Sequence, residues 1–295
     1  MATPTYDAAS LFSVHGLVAV ISGGGSGLGA VTAHALAANG ARAVYILGRR
    51  EESLLSAKQK SPKPDVIHPI VCDVTSKDSL AAAADRVRTE MGYVNVVFAN
   101  SGISKAITGP LDHFADIPSL QQKLWSPDMA EFTETMHVNV TGAFFTAIAF
   151  LDLLDEANKR SDVSEASQIV ITSSAASFAR QLFSGFSYSA SKAAVTHMTK
   201  QLATTLAKYR IRVNAIAPGF FPSEMTQNLP FMNSDKGDPR KAGALDGDLV
   251  PLTRVGSEED YAGVVLFLTS KAGGYVDGAI ILIDGGRMGL IPNSY

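Results

Sequence analysis

A tyrosine and a lysine stand four residues apart in Tyr188-Ser189-Ala190-Ser191-Lys192. On a helix this spacing puts both on one face, about 6 Å apart along the axis. A nearby cation favours the ionised form of a phenol and lowers a pKa that is about 10 when unperturbed. Such a phenol can pass a proton to or from a substrate oxygen. Taken alone, the pair is equally well a solvated helix face. A second signal lies upstream, in Ser22-Gly23-Gly24-Gly25-Ser26-Gly27-Leu28-Gly29. It follows the apolar run Val18-Ala19-Val20-Ile21, which reads as a buried strand, and precedes an alanine-rich helical pattern ending at Asn39-Gly40. A glycine loop between a strand and a helix N-terminus is a phosphate site. The backbone approaches the anion closely and free N–H groups point at it. The spacing is G-x-x-x-G-x-G rather than G-x-G-x-x-G. The competing reading, a flexible linker, fits poorly with such tight flanks.

The elements that must position these residues alternate along the chain. Strand-like segments fall at 18–21, 43–47, 66–71, 94–99, 168–172, 212–217 and 279–283. Helix-like segments fall at 28–39, 77–91, 129–156, 189–209 and 258–270, and a further helix starts at Glu51. The alternation predicts an α/β fold with a mostly parallel sheet covered by helices on both faces. Ligands then bind at the carboxyl ends of the strands, near the switch in strand order. Residues 1–15 read as a loosely held arm before a single domain over 16–295. Two stretches are irregular, 104–127 and 220–251. Long loops in compact domains often act as lids or binding loops.

Composition narrows the function classes. The 295 residues are 46% hydrophobic and 18% charged, which suits one α/β domain. A formal net charge of -3 gives no footprint for nucleic acid or an anionic membrane. The single cysteine, Cys72, excludes an intrachain disulfide framework and reads as a small core residue. No apolar run approaches a bilayer-spanning length, and the first residues lack the basic region of a signal peptide. A cytoplasmic location is the default expectation. No His, Cys and carboxylate cluster has metal-ligand spacing, and His197, His137 and Asp73 make no hydrolytic triad with Ser174.

The two motifs, in this order, resemble the short-chain dehydrogenase/reductase family. Asp73-Val74, Asn100-Ser101-Gly102, Asn139, Ser173-Ser174 and Pro218-Gly219 follow in the family's order, and the likeness spans about Gly16 to Gly286. The resemblance implies a single doubly wound Rossmann-type domain with a seven-stranded, mostly parallel sheet, and a substrate lid at about 220–250. It implies a catalytic set of Asn139, Ser174, Tyr188 and Lys192. Tyr188 would supply the proton, Lys192 would lower its pKa and bond the nicotinamide ribose, and Ser174 would bond the substrate oxygen. Asn139 would hold a water linking Lys192 to solvent. Ser173 is an alternative to Ser174; strand alternation from Ile169 places Ser174 at the strand exit.

Cofactor contacts carry over likewise, from Ser22, Gly23, Gly25, Ser26, Gly27, Leu28 and Gly29 in the glycine loop. Asp73 would accept from the adenine amino group, with Val74 packed nearby. Asn100, Ser101 and Gly102 would line the adenosine side. Pro218, Gly219 and Phe221 would border the nicotinamide with Tyr188 and Lys192, and Ser223 would hold the carboxamide. NAD-preferring relatives typically carry an aspartate where this chain has Gly48, and Arg49 and Arg50 follow instead. Guanidinium groups pair well with phosphate, so the cofactor expected is NADP(H), with Arg49 the primary 2′-phosphate partner and Arg50 secondary. Ala99 departs from the asparagine common in the family. Phe178, Leu182, Phe183, Phe220, Phe221, Met225 and Trp125 suggest an aromatic-lined pocket for a bulky ketone of β-ketoacyl or secondary-metabolite type, with Arg180 meeting a polar substituent. A sugar or polyol dehydrogenase, or a non-redox nucleotide-binding role, are the competing readings. Dimers or tetramers through the helices carrying Asn139 and Tyr188 are implied by the resemblance alone.

Overall fold

A computed structural model describes residues 6–108, 111, 116–181, 185–233 and 237–295. Seven strands form one sheet: β1 (Val18–Ser22), β2 (Ala43–Gly48), β3 (Ile67–Val71), β4 (Val96–Ala99), β5 (Gln168–Thr172), β6 (Arg212–Pro218) and β7 (Ile280–Ile283). The order is β3-β2-β1-β4-β5-β6-β7, and every neighbouring pair is parallel. The fold is Rossmann-like, as the alternation predicts.

The sheet separates two cores, because successive strand residues face opposite ways. Val18 and Val20 pack on one side with Tyr45, Leu47, Val97 and Ile171. Ala19 and Ile21 pack on the other with Val44, Ile46, Phe98 and Val170. All five β1 residues are buried, which explains an unbroken apolar run rather than an alternating one. Helices α2 (Gly27–Ala38), α3 (Glu51–Gln59) and α10 (Glu258–Thr269) supply residues to the second core. Helices α4 (Lys77–Glu90), α7 (Ala143–Ile148), α8 (Leu151–Arg160) and α9 (Phe186–Leu206) supply residues to the first, and α6 (Met129–Met136) packs against α9. Two short helices complete the set, α1 (Ala8–Leu11) and α5 (Ile117–Trp125).

Three departures from the sequence pattern have physical causes. The helix expected over 129–156 is interrupted by a π-helical segment, His137–Gly142, and bends by 41° near Phe150. Phe150 leaves helical geometry at φ -115° and ψ 13° while its ring is fully buried. Helix α5 arises within a stretch expected to be irregular. Asp116 caps its first turn, but it buries no residue, so its apolar positions gave no core-like pattern. The arm is anchored at Val14, which is buried, and Asp7 caps α1. Among the described residues no single helix is long and apolar enough to cross a membrane.

The long segment after β6 is folded. Leu245, Val250 and Val255 form a small core with Phe220, Phe231, Met232 and Leu249. Residues 234–236 of the expected lid lie outside the described residues. Phe221 is buried against Tyr261, their rings 5.9 Å apart.

Candidate active site

The glycine loop begins where β1 ends, beside the switch point between β1 and β4. Gly27 opens α2 at φ +51°, a value L side chains rarely adopt. Ser26 occupies the N-cap without a side-chain bond to the helix, so its hydroxyl leaves the first α2 amides for another partner. The loop is also tightly backed. A Cβ on Gly24 would lie 2.7 Å from Ile46, and one on Gly29 would lie 2.2 Å from the Gly23 carbonyl oxygen. An uncapped helix start behind a side-chain-free cradle fits a dinucleotide pyrophosphate.

One cavity of about 540 Å³ runs from this cradle to the tyrosine and lysine. Gly23, Gly25, Ser26, Gly27 and Leu28 line it, as do Arg49, Arg50, Asp73, Val74, Asn100, Ser101 and Gly102. Ser174, Tyr188, Lys192, Pro218, Gly219, Phe221 and Ser223 line its other end. Three expected site residues lie behind its walls. The Ser22 hydroxyl accepts from the Asn100 and Ser101 amides and tethers the end of β4 to β1. Gly29 packs against Gly23 and Asn100. Asn139 is buried, donating to the Ile103 carbonyl and the Ser191 hydroxyl and accepting from the Ile103 amide. With both amide N–H groups committed, the Asn139 side chain ties the loop after β4 to α9.

The two neighbouring serines both line the cavity but differ in their bonds. Ser173 is buried and its hydroxyl bonds the Lys192 carbonyl and Thr196. Ser174 starts the turn after β5, accepts from the Ala176 amide, donates to the Pro218 carbonyl at 3.5 Å, and sits near enough to the Tyr188 phenol to favour its ionised form. Lys192 is buried, and its ammonium donates to the Thr172 carbonyl at 2.8 Å. The α9 stripe Lys192, Val195, Thr199, Leu202 and Leu206 is wholly buried, so the chemistry sits on a packed face.

The electrostatics differ from the sequence expectation. Burial pushes the Tyr188 phenol up, and the Ser174 hydrogen bond only partly offsets this. Burial also pushes the Lys192 ammonium down to about 8. Lys192 aims at Thr172 rather than at the phenol, lying 5.7 Å from the Tyr188 ring centroid. Desolvation therefore outweighs the attraction that spacing alone suggested. Hydrogen bonds from Thr75 hold the Asp73 carboxyl below its usual range, with smaller help from Arg49 and His137.

The lysine makes a stability prediction. Its folded value lies below the roughly 10.4 of a free lysine. Between about pH 8 and 10 the unfolded chain still binds a proton that the folded chain has lost, so this group's contribution to stability rises with pH there. The full effect is about 3 kcal/mol. Lys192→Met removes the buried ammonium but strands the Thr172 carbonyl, which costs about 1–3 kcal/mol. Melting scans should therefore show little change in Tm at pH 7. The parent should gain on the variant between pH 8 and 10; equal pH slopes would refute the buried, protonated lysine.

Several cleft residues carried no signal in the sequence. Cys72, Ile103, Val138 and Thr226 line the cavity, brought there only by folding. Thr226 bonds Ser223. Of the proposed aromatic wall, Phe221 and Met225 reach the cleft. Trp125 does not: it is 85% exposed on α5. Phe178 turns to Tyr295, with ring centroids 4.8 Å apart, and the Arg180 amide bonds the Pro292 carbonyl. Leu182, Phe183 and Ser184 lie outside the described residues. Phe220 and Phe221 also border a second cavity of about 260 Å³.

Residues 23–287 match a family model described as enoyl-(acyl carrier protein) reductase. The chain is 43% identical to the short-chain dehydrogenase/reductase PhomF of Diaporthe leptostromiformis, over 99% of this chain and 98% of that protein. It is 40% identical to the short-chain dehydrogenase/reductase VdtF of Byssochlamys spectabilis, over 98% of each. Among solved structures, the RhlG/NADP active-site complex of Pseudomonas aeruginosa superposes with a TM-score of 0.79 at 26% identity, covering 94% of this chain and 98% of that one. The chain belongs to the short-chain dehydrogenase/reductase family of oxidoreductases.

Proposed function

We propose that this protein is an NADP(H)-dependent carbonyl reductase that converts a ketone on a bulky, largely apolar substrate into a secondary alcohol. The observation that carries the reading is the continuity of one cavity from Arg49 to Ser174, Tyr188 and Lys192. Arg49 and Arg50, with no carboxylate at Gly48, favour a cofactor bearing a 2′-phosphate. RhlG, solved with NADP, lends this support. The α2 N-terminus and glycine cradle would hold the pyrophosphate, Asp73 and Asn100 the adenosine, and Pro218, Gly219 and Ser223 the nicotinamide side.

When bound, the nicotinamide supplies a hydride for the carbonyl carbon. Tyr188 gives its proton to the carbonyl oxygen as negative charge develops there. A phenol pushed up by burial remains protonated at neutral pH, which suits an acid in the reductive direction. Ser174, close to that phenol, orients the same oxygen. Lys192 lies close enough to stabilise the phenolate left behind. Two hydroxyls converging on one oxygen favour carbonyl reduction over reduction of a carbon–carbon double bond. On this reading the protein is a cytoplasmic homo-oligomer, which light scattering would measure. Kinship with PhomF and VdtF supports a place in secondary metabolism.

The test is NADPH oxidation by purified protein against bulky aromatic ketones, β-ketoacyl thioesters, enoyl thioesters and keto-sugars, with NADH in parallel. Turnover on the ketones or ketoacyl thioesters is expected. Turnover confined to keto-sugars would favour a polyol dehydrogenase, and binding without turnover on any of them a non-redox role.

A further inference from the structure

Arg50 and Glu224 come from opposite walls of the cleft and meet across its mouth. Arg50 follows β2 at the N-cap of α3, whereas Glu224 lies shortly after β6. A terminal guanidinium nitrogen of Arg50 is 2.9 Å from each carboxylate oxygen of Glu224. Both residues line the cavity. One residue earlier, Ser223 faces the glycine loop: a Cβ added to Gly27 would lie 3.5 Å from the Ser223 Cβ. Thr226 closes the turn by donating to the Phe221 carbonyl at 2.6 Å. Residues 223–226 therefore make a strap from the glycine loop to Arg50, over the ground a dinucleotide must occupy.

We infer that Glu224 is a specificity-determining residue: it engages one terminal nitrogen of Arg50, and a 2′-phosphate that takes this guanidinium bidentately must compete with it for that nitrogen. The inference rests on the proposed choice of a phosphorylated cofactor. A phosphate dianion is a stronger bidentate partner for a guanidinium than a carboxylate is. A ribose 2′-hydroxyl carries no charge and leaves the pair intact. Glu224 thus taxes only the phosphorylated cofactor and narrows the preference that Arg49 and Arg50 create. The effect is bounded. Side-chain exposures of 60% and 58% make this a solvent-screened pair, whose loss is worth a few-fold in affinity.

Calorimetric titration of NADPH and NADH into the parent, Glu224→Gln, Arg50→Gln and the double variant tests this. Glu224→Gln should tighten NADPH about three- to fivefold and leave NADH within about 1.5-fold. In the Arg50→Gln background the same change should gain nothing for NADPH, because the competitor has lost its target. Three results would overturn the inference: no tightening, equal tightening of both cofactors, or a gain that persists without Arg50. A parent that binds NADH more tightly than NADPH would refute the cofactor reading instead. The NADPH cycle would still decide the role of Glu224.

Discussion

Tyr188→Phe is expected to lower kcat about a thousandfold while leaving cofactor affinity and thermal stability close to the parent values. The substitution removes one oxygen and keeps the ring. The ring packs at the start of α9, a helix held by the buried stripe from Lys192 to Leu206, so the backbone has no reason to move. What is lost is the hydroxyl of a side chain that lies near both Ser174 and the Lys192 ammonium. Residual turnover would draw its proton from water or from Ser174, each a poorer acid at that point. The discriminating readout is the split between binding and rate. Retained NADPH affinity with collapsed kcat assigns the phenol to proton transfer. Retained kcat would remove Tyr188 from the mechanism and with it the ketoreductase reading. A collapse of both would mean that the hydroxyl shapes the pocket instead.

Gly29→Ala is expected to damage both the fold and the cofactor site. The added Cβ would stand 2.2 Å from the Gly23 carbonyl oxygen and 2.6 Å from the Asn100 side-chain nitrogen. Neither neighbour can yield cheaply. The Asn100 amide nitrogen bonds the Ser22 carbonyl and its oxygen accepts from Thr172, so it links the ends of β1, β4 and β5. The Gly23 carbonyl belongs to the cradle itself. Relief requires α2 to move off the sheet, at a cost of about 3 kcal/mol. Moving α2 misaims its amides, so NADPH should bind at least about tenfold more weakly. Gly263→Ala is the control. A Cβ there meets nothing within 4 Å, on an exposed face of α10, and the change should stabilise by about 0.5–1 kcal/mol. Urea melts of both variants test the contrast. Equal midpoints would mean that the loop has slack that the packing denies.

Much of this architecture was already legible in the residues. Most strands were largely apolar runs bounded by turn residues, because central strands of a parallel sheet are buried on both faces; the edge strand β3 carries His68, and β6 opens on Arg212 with Asn214 inside it. The glycine loop was visible because phosphate binding restricts several adjacent positions at once. Tyr188 and Lys192 were visible because helical periodicity places them without knowledge of any partner. The π-helical interruption at 137–142 was not visible. Whether a helix widens there depends on what packs against it, and Asn139 bonds partners in two distant segments. Helix α5 was equally hidden, since an unburied helix leaves no core-facing stripe.

The sequence by itself determined the alternation, the strand that carries the glycine loop, and the one-turn spacing of phenol and ammonium, because these are properties of neighbours along the chain. Only the tertiary structure decided what those groups experience. Burial sets the phenol above and the ammonium below their ordinary values, although proximity alone argued the reverse for the phenol. Folding turned Ser173 inward and Ser174 toward Tyr188, sent Trp125 to the surface, and set Glu224 against Arg50 across 174 positions of chain. Desolvation and long-range pairing are sums over everything that surrounds a group, and those surroundings exist only once the chain has closed on itself.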